Sequence, residues 1–236
     1  KPIIMIDLGD RREGVLPENL IKFLQEKIDL PNLDIKGIGT NLGSFSGVLP
    51  TQKNTKKLIE LKNKAEKELK TKLPIISGGS TINLKLLEEN KLPEQINQLR
   101  IGEGILLGTA GTQNRKIPYL NQNTIEIEAE IIEHNKKPSK PKGKTGKDAF
   151  GKKQKFKDKG KIERAIVAIG KQDTSPNNLK PKDPKIQILG ASSDHTILDI
   201  TKTNKNYKIG DKITFKPSYS DMLRAFTSPY IRKEYH

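Results

Sequence analysis

The sequence predicts an α/β protein, a series of parallel β/α units followed by an all-β domain. Three observations predict it. Four times in residues 1–108 an apolar strand runs into a polar or glycine-rich tip, in IIMIDLGDRREG, IKGIGTNLG, PIISGGST and LRIGEGILLG. Segments of helical period separate those strands, which implies parallel pairing with right-handed crossovers. After about residue 122 the period falls to two, and short strands follow one another between Gly, Pro and Asn turn signals.

The elements follow in order. Pro2 to Asp7 reads as the first strand, and a helix from about Glu18 to Lys27 keeps its apolar positions on one side. A second strand, Asp34 to Thr40, leads through the loop LGSFSGVLP to the strongest helix signal, Thr51 to Lys70. There Leu58, Leu61, Ala65 and Leu69 recur at helical spacing while Lys and Glu fill the other faces. LPII is a short buried strand, Ser80 or Thr81 caps the helix INLKLLEEN, and QLRI is the fourth strand. The segment TQNRKIPYLNQN, residues 112–123, lacks either period, and the domain boundary is placed at 118/119: residues 1–118 form the first domain and 119–236 the second. Beyond it Ile125, Ile127, Ala129 and Ile131 alternate with Glu126, Glu128 and Glu130. RAIVAIG, KIQILGA, HTILDI and DKITFKP supply further strands.

Composition narrows the classes. No apolar run approaches the roughly 20 residues that span a bilayer, and no N-terminal apolar region resembles a signal peptide, so a soluble, cytoplasmic protein with no membrane partner is expected. There are no cysteines, which excludes disulfides and thiolate chemistry. The three histidines are scattered and none pairs with another at metal-ligand spacing, so no metal is expected. The net charge of +16 invites a nucleic-acid reading, but twelve lysines crowd into residues 136–161 with Phe150 and Phe156 as the only aromatics there. Such a stretch is a solvated hairpin or linker with little to stack bases on, and no nucleic-acid partner is expected.

In a parallel sheet all strand C-termini open on one face. The four tips then gather Asp7, Arg12, Asn41, Ser80, Thr81 and Arg100 around one crevice for an anionic small molecule. SGGST offers hydroxyls and open backbone between a strand and a helix, and RIGEG puts a second glycine turn beside Arg100 one unit later, an arrangement that suits phosphate. Asp7 and Asp10 have a simpler reading as residues that close a loop.

Together DLGDRREG, the SGGST turn, LRIGEGILLG, and LGASSDHTILDI followed by YKIGDKITF resemble the alanine racemase family of pyridoxal-phosphate enzymes, and within it the ornithine racemase branch. The resemblance covers nearly the whole chain. It implies that residues 1–118 are the C-terminal half of a TIM-type (β/α) barrel and that 119–236 form a C-terminal β domain. It further implies that Ser80, Thr81 and the backbone of Gly102 and Glu103 hold the phosphate of pyridoxal 5'-phosphate. Arg100 falls against the pyridine nitrogen, Arg12 near the phenolic oxygen and the substrate carboxylate, and Asn41 where the family has a histidine beside the ring. Ser193 and Asp194, in a segment the family takes from the partner subunit, become substrate contacts in a homodimer.

Two departures accompany the likeness. The Schiff-base lysine of the family lies on a strand that precedes DLGD, and no lysine here stands at an equivalent position. The chain is therefore expected to be the C-terminal two-thirds of an enzyme, inactive alone, its missing half supplied by a complementary N-terminal polypeptide or simply absent from an incomplete fragment, and its partner a second copy in a homodimer or that complementary half. Phe150, in KDAFG, stands where a phenol is expected, leaving Asp148 or His195 as the second base. The implied activity is racemisation of an amino acid such as ornithine. A non-catalytic pyridoxal-phosphate carrier is the alternative.

Overall fold

The computed structural model describes residues 1–153 and 155–236. The chain divides into two compact units, Lys1–Gln122 and Asn123–His236.

The first unit is built on four parallel strands in the order β1 (Ile3–Met5), β2 (Gly37–Gly39), β3 (Ile75–Ser80) and β4 (Gln98–Arg100). Between them run α1 (Leu20–Lys27), α2 (Gln52–Leu69) and α3 (Leu84–Glu88). The strands are shorter than the apolar runs that announce them, because the sheet pairs only three residues of β1 and β2 before the chain turns off at the tips. The helix expected from Glu18 begins as a 3-10 turn at Pro17–Asn19, since proline pre-sets the first turn and lacks the donor that turn leaves unpaired.

Helix α2 forms where its pattern says it should. Thr51 accepts a hydrogen bond from the Asn54 N–H at 3.3 Å while Asn54 Oδ1 accepts from the Thr51 N–H at 2.7 Å, and Lys70 closes the other end at φ +50°. Leu58, Leu61 and Ala65 are buried against Ile6, Leu20, Leu24, Ile38 and Ile76 in the core of this unit. Strands β2 and β3 lie so close that a Cβ on Gly37 would stand 2.1 Å from the Ile75 carbonyl oxygen.

The segment after β4 differs from its reading as an aperiodic boundary. A short helix α4 (Glu103–Leu107) is followed by a two-stranded hairpin, β5 (Thr109–Ala110) and β6 (Arg115–Lys116). Ala110 and Ile117 are fully buried with Leu84, so this stretch packs into the first unit. Elements this short bury too few residues to show a period.

The second unit is an antiparallel sheet in the order β10 (Gln187–Ala191), β11 (Thr196–Asp199), β8 (Lys161–Val167), β7 (Ile127–Pro138), β12 (Lys212–Lys216) and β9 (Lys180–Pro181). Ile127, Ala129 and Ile131 point into a core with Val167, Leu198, Ile213 and Phe215. β7 runs past Ile131, the last residue of the alternating run, because a register shift between Ile131 and Glu133 resets the alternation, and pairing with β8 then continues to Pro138. The lysine-rich stretch is thus the connection of the β7–β8 hairpin. Helix α5 (Tyr219–Thr227), which the sequence reading did not anticipate, follows β12. No helix among the described residues is long and apolar enough to cross a membrane.

Candidate functional site

The C-terminal ends of β1 to β4 meet through side chains. Thr40, just past β2, donates from Oγ1 to the Ile6 carbonyl at 2.9 Å. Asp10, just past β1, is buried and reaches into the loop after β2: its carboxylate accepts from the N–H groups of Gly43, Phe45 and Ser46 at 3.0–3.1 Å and from the Ser46 hydroxyl at 2.7 Å. Burial alone would raise the Asp10 pKa, but these donors together outweigh it and hold the carboxyl below the ordinary aspartate range. Asp7 closes its own loop, accepting from the N–H groups of Gly9 at 2.8 Å and Arg11 at 3.2 Å. Both aspartates therefore brace the rim.

Arg100, the last residue of β4, pairs in register with Ser80 of β3. Its guanidinium donates to the Ser77 hydroxyl, to the Thr40 carbonyl at 3.0 Å and to Asn41 Oδ1 at 3.5 Å, so it ties together the ends of β2, β3 and β4. Loss of water around the head lowers its pKa, the Arg12 cation adding to the effect and Glu13 opposing it. Arginine stays protonated through such a shift. The same interactions bring Arg12 and Glu13 to this rim, where Arg12 pairs with Glu13 through Nε and through Nη2 at 2.7 Å. Neither Ser77 nor Glu13 was singled out from sequence, since each gains its place only when neighbouring strands are side by side.

The glycine turns meet beside them. Gly79 adopts φ +135°, and a Cβ there would lie 2.3 Å from Asn83 Oδ1, the oxygen that accepts from the Ser80 N–H at 3.2 Å. Only glycine fits that approach. Thr81 is buried and accepts from the Gly104 N–H at 3.1 Å, which joins the turn after β3 to α4. At Gly102 a Cβ would meet nothing within 4 Å, so the backbone is open there. The Glu103 carboxylate turns toward the hairpin, accepting from the Thr109 hydroxyl and the Gly111 N–H, each at 2.7 Å. Asn41 is held by Ser44 at 2.6 Å as well as by Arg100. Arg12, Asn41, Ser80, Thr81, Arg100, Gly102 and Glu103 thus all lie at the strand C-termini of the first unit or just beyond them.

Asp148, Ser193, Asp194 and His195 lie in the second unit. Ser193 and Ser192 donate their hydroxyls to Asp194 Oδ1 at 2.9 and 3.2 Å, and His195 Nδ1 stands 3.2 Å from the same oxygen. Hydrogen bonding from Ser193 is the main cause that lowers the Asp194 pKa. Asp148 Oδ1 accepts from the N–H groups of Phe150 and Lys152, both at 2.9 Å. A hollow of about 570 Å³, lined by residues such as Lys140, Lys142 and Lys161, opens in this unit as well. It holds none of the candidate residues, and its lysine lining matches a solvated hairpin.

Residues 1–110 match the family model described as alanine racemase, N-terminal domain. Ornithine racemase of Acetoanaerobium sticklandii is 45% identical over 233 residues, 98% of this chain and 66% of that protein. Lysine racemase of Thermotoga maritima is 47% identical over 235 residues, 100% of this chain and 65% of that protein. The chain therefore spans just under two thirds of the length of these relatives. Among solved structures, D-threonine aldolase from Filomicrobium marinum aligns with a TM-score of 0.61 at 14% identity, over 94% of this chain and 55% of that one. Alanine racemase from Bartonella henselae with covalently bound pyridoxal phosphate aligns with a TM-score of 0.60 at 18% identity, over 95% of this chain and 60% of that one. At such identities the structural likeness concerns the fold.

Proposed function

We propose that the protein, whose residues 1–110 match the alanine racemase N-terminal domain model, is a pyridoxal-phosphate-dependent amino-acid racemase acting in the cytoplasm on a basic amino acid, ornithine or lysine. The four parallel β/α units are the C-terminal half of its (β/α) barrel, and residues 123–236 its C-terminal β domain. The substrate class rests on the two curated relatives.

One observation carries the reading: Arg100 ends β4 with its guanidinium engaged by three neutral acceptors, Ser77, Thr40 and Asn41. An arginine fixed this way keeps N–H donors for a ligand. The residues suit the coenzyme. The open backbone at Gly102 leaves room for a phosphate beside Ser80, Thr81 and Glu103, and the Thr81 hydroxyl, which accepts from Gly104, retains its own proton to donate. When bound, pyridoxal phosphate supplies the electron sink that makes the amino acid's α-proton removable.

The chain's own residues then divide the work. Arg100 would donate to the ring nitrogen of the bound coenzyme and leave it unprotonated, because a guanidinium holds its proton at ordinary pH. That contact would limit electron withdrawal into the ring. Arg12 would orient the substrate carboxylate and the phenolic oxygen, and Asn41 would stand beside the ring. Ser193 and Asp194 contact the substrate from a second copy in a homodimer, with Asp148 or His195 assisting proton transfer.

The test is addition of pyridoxal phosphate to the protein, as residues 1–236 and at the full length of its relatives, with cofactor uptake followed by absorption and turnover of L-ornithine and L-lysine by chiral chromatography. The expected result is uptake with racemisation at full length, and at least tenfold weaker uptake for Arg100→Ala. Uptake without turnover at full length would favour a carrier. No uptake in either form would overturn both.

A further inference from the structure

We propose that Lys171 is a catalytic residue of the racemase, the group that exchanges a proton with the substrate's α-carbon on one of its two faces. The proposal rests on the racemase reading above. Lys171 follows β8, and both stretches of the second unit that hold candidate residues close around it. From 148–152, Asp148 Oδ2 stands 3.9 Å from Lys171 Nζ, and the Phe150 ring lies under that nitrogen with 3.6 Å to its centroid. From 192–195, the Ser192 carbonyl accepts from the Lys171 N–H at 3.0 Å and the Ser193 carbonyl from the Gln172 N–H at 2.9 Å.

Gly170 makes this approach possible. A Cβ at that position would stand 2.3 Å from the Ser193 carbonyl oxygen and 2.4 Å from the Asp194 nitrogen. On the other side Arg224 of α5 donates to the Lys171 carbonyl at 2.7 Å. The lysine backbone is thus fixed from two directions while a carboxylate and an aromatic face set the direction of its side chain, which keeps 27% of its surface exposed.

The chemistry calls for such a group. Racemisation removes a proton from one face of the α-carbon and delivers one to the opposite face, a task that a positioned acid–base group on each face performs. Lys171 as the neutral amine takes the proton and becomes the ammonium. The C–H electron pair stays with the substrate joined to its coenzyme, and the base on the other face returns a proton. In the opposite direction the Lys171 ammonium gives its proton and the other base takes one. No oxidant or reductant enters. Asp148, whose other oxygen is occupied by the N–H groups of Phe150 and Lys152, is a positioning residue for Lys171. His195 sits against Asp194 on the turn.

The experiment uses the coenzyme-loaded enzyme at the full length of its relatives in D2O. Each pure enantiomer of ornithine is incubated with unmodified enzyme, Lys171→Ala and Lys171→Met, and α-proton loss is read by NMR. For either variant racemisation should fall at least 100-fold, the size expected for a positioned acid–base group. α-Proton exchange should vanish for one enantiomer and stay within a few-fold for the other, with uptake of pyridoxal phosphate, titrated by absorption, within threefold of the unmodified enzyme. Added methylamine should restore part of the lost exchange in Lys171→Ala. Equal loss of exchange for both enantiomers, or racemisation within threefold of the unmodified enzyme, overturns the proposal. Misfolding of both variants, seen as lost coenzyme uptake that methylamine does not recover, also counts against it. If the unmodified enzyme exchanges neither enantiomer, the racemase reading itself falls, so the two failures are distinct.

Discussion

Asp10 carries its charge in a place with little water, 2% exposed, and four hydrogen bonds from the opposite loop compensate for that loss. Asp10→Asn keeps the size but replaces one acceptor oxygen with an NH2 that faces backbone donors. The expected loss of stability is about 1–3 kcal/mol, the usual scale for a buried donor set left unsatisfied, read from the shift of the urea midpoint. The pH dependence follows from the direction of the shift. The folded carboxyl sits below its unfolded value, so its stabilisation is complete above the ordinary aspartate range and is lost as pH falls through that range into the folded value. Asp7 contributes in the same sense. In Asp10→Asn the acid-side slope of stability should be shallower than in the unmodified protein. An unchanged slope would mean that Asp10 contributes nothing to it.

At the scale of elements, α2 separates packing from capping. Leu58 is fully buried in the core of the first unit, so Leu58→Ala removes contacts and leaves a cavity, at a cost of about 2–5 kcal/mol. Thr51→Ala removes one cap bond at the exposed start of the same helix and should cost about 1 kcal/mol. Urea titration of both variants checks the order, and an equal cost would contradict the packing described. This helix was legible in the sequence because 18 residues give its period room to show and Thr51 marks its start. β7 was legible as far as Ile131, where alternation persists, and its extension was not, because a bulge resets the faces. Helix α5 was missed although Ser218 and Asp221 form a reciprocal cap; the run of short strands before it drew the reading toward β structure. In the candidate site, Thr81 and Arg100 were legible because strand ends in β/α units announce themselves locally. Ser77 and Lys171 were not, since each acquires its neighbours only through strand pairing or turns distant in sequence, and Glu13, bonded to the adjacent Arg12, was not because its influence on Arg100 comes only through the fold.

For the whole molecule the charge is unevenly placed. Twelve lysines and two aspartates in residues 136–161 carry ten of the sixteen net positive charges, and the hairpin connection of β7 and β8 holds most of them in one lobe. Asp158 Oδ1 is turned toward the Gly160 N–H at 2.9 Å, and Asp148 Oδ2 lies 3.9 Å from Lys171 Nζ, outside the lobe. Lys142, Lys144, Lys153 and Lys155 are exposed and make no ion pair among the described residues. Like charges this close repel, and the repulsion is screened once the Debye length shrinks to a few ångströms, about 3 Å at 1 M salt against 30 Å at 0.01 M. Replacing all four lysines by Gln should therefore raise the melting temperature in low salt and leave it unchanged in 1 M salt, since no buried contact is lost. Thermal melts of both proteins across a salt series check this. If the fourfold variant is less stable at every salt concentration, those lysines hold the lobe through contacts, and its cation surface is part of the fold's stability instead of a load upon it.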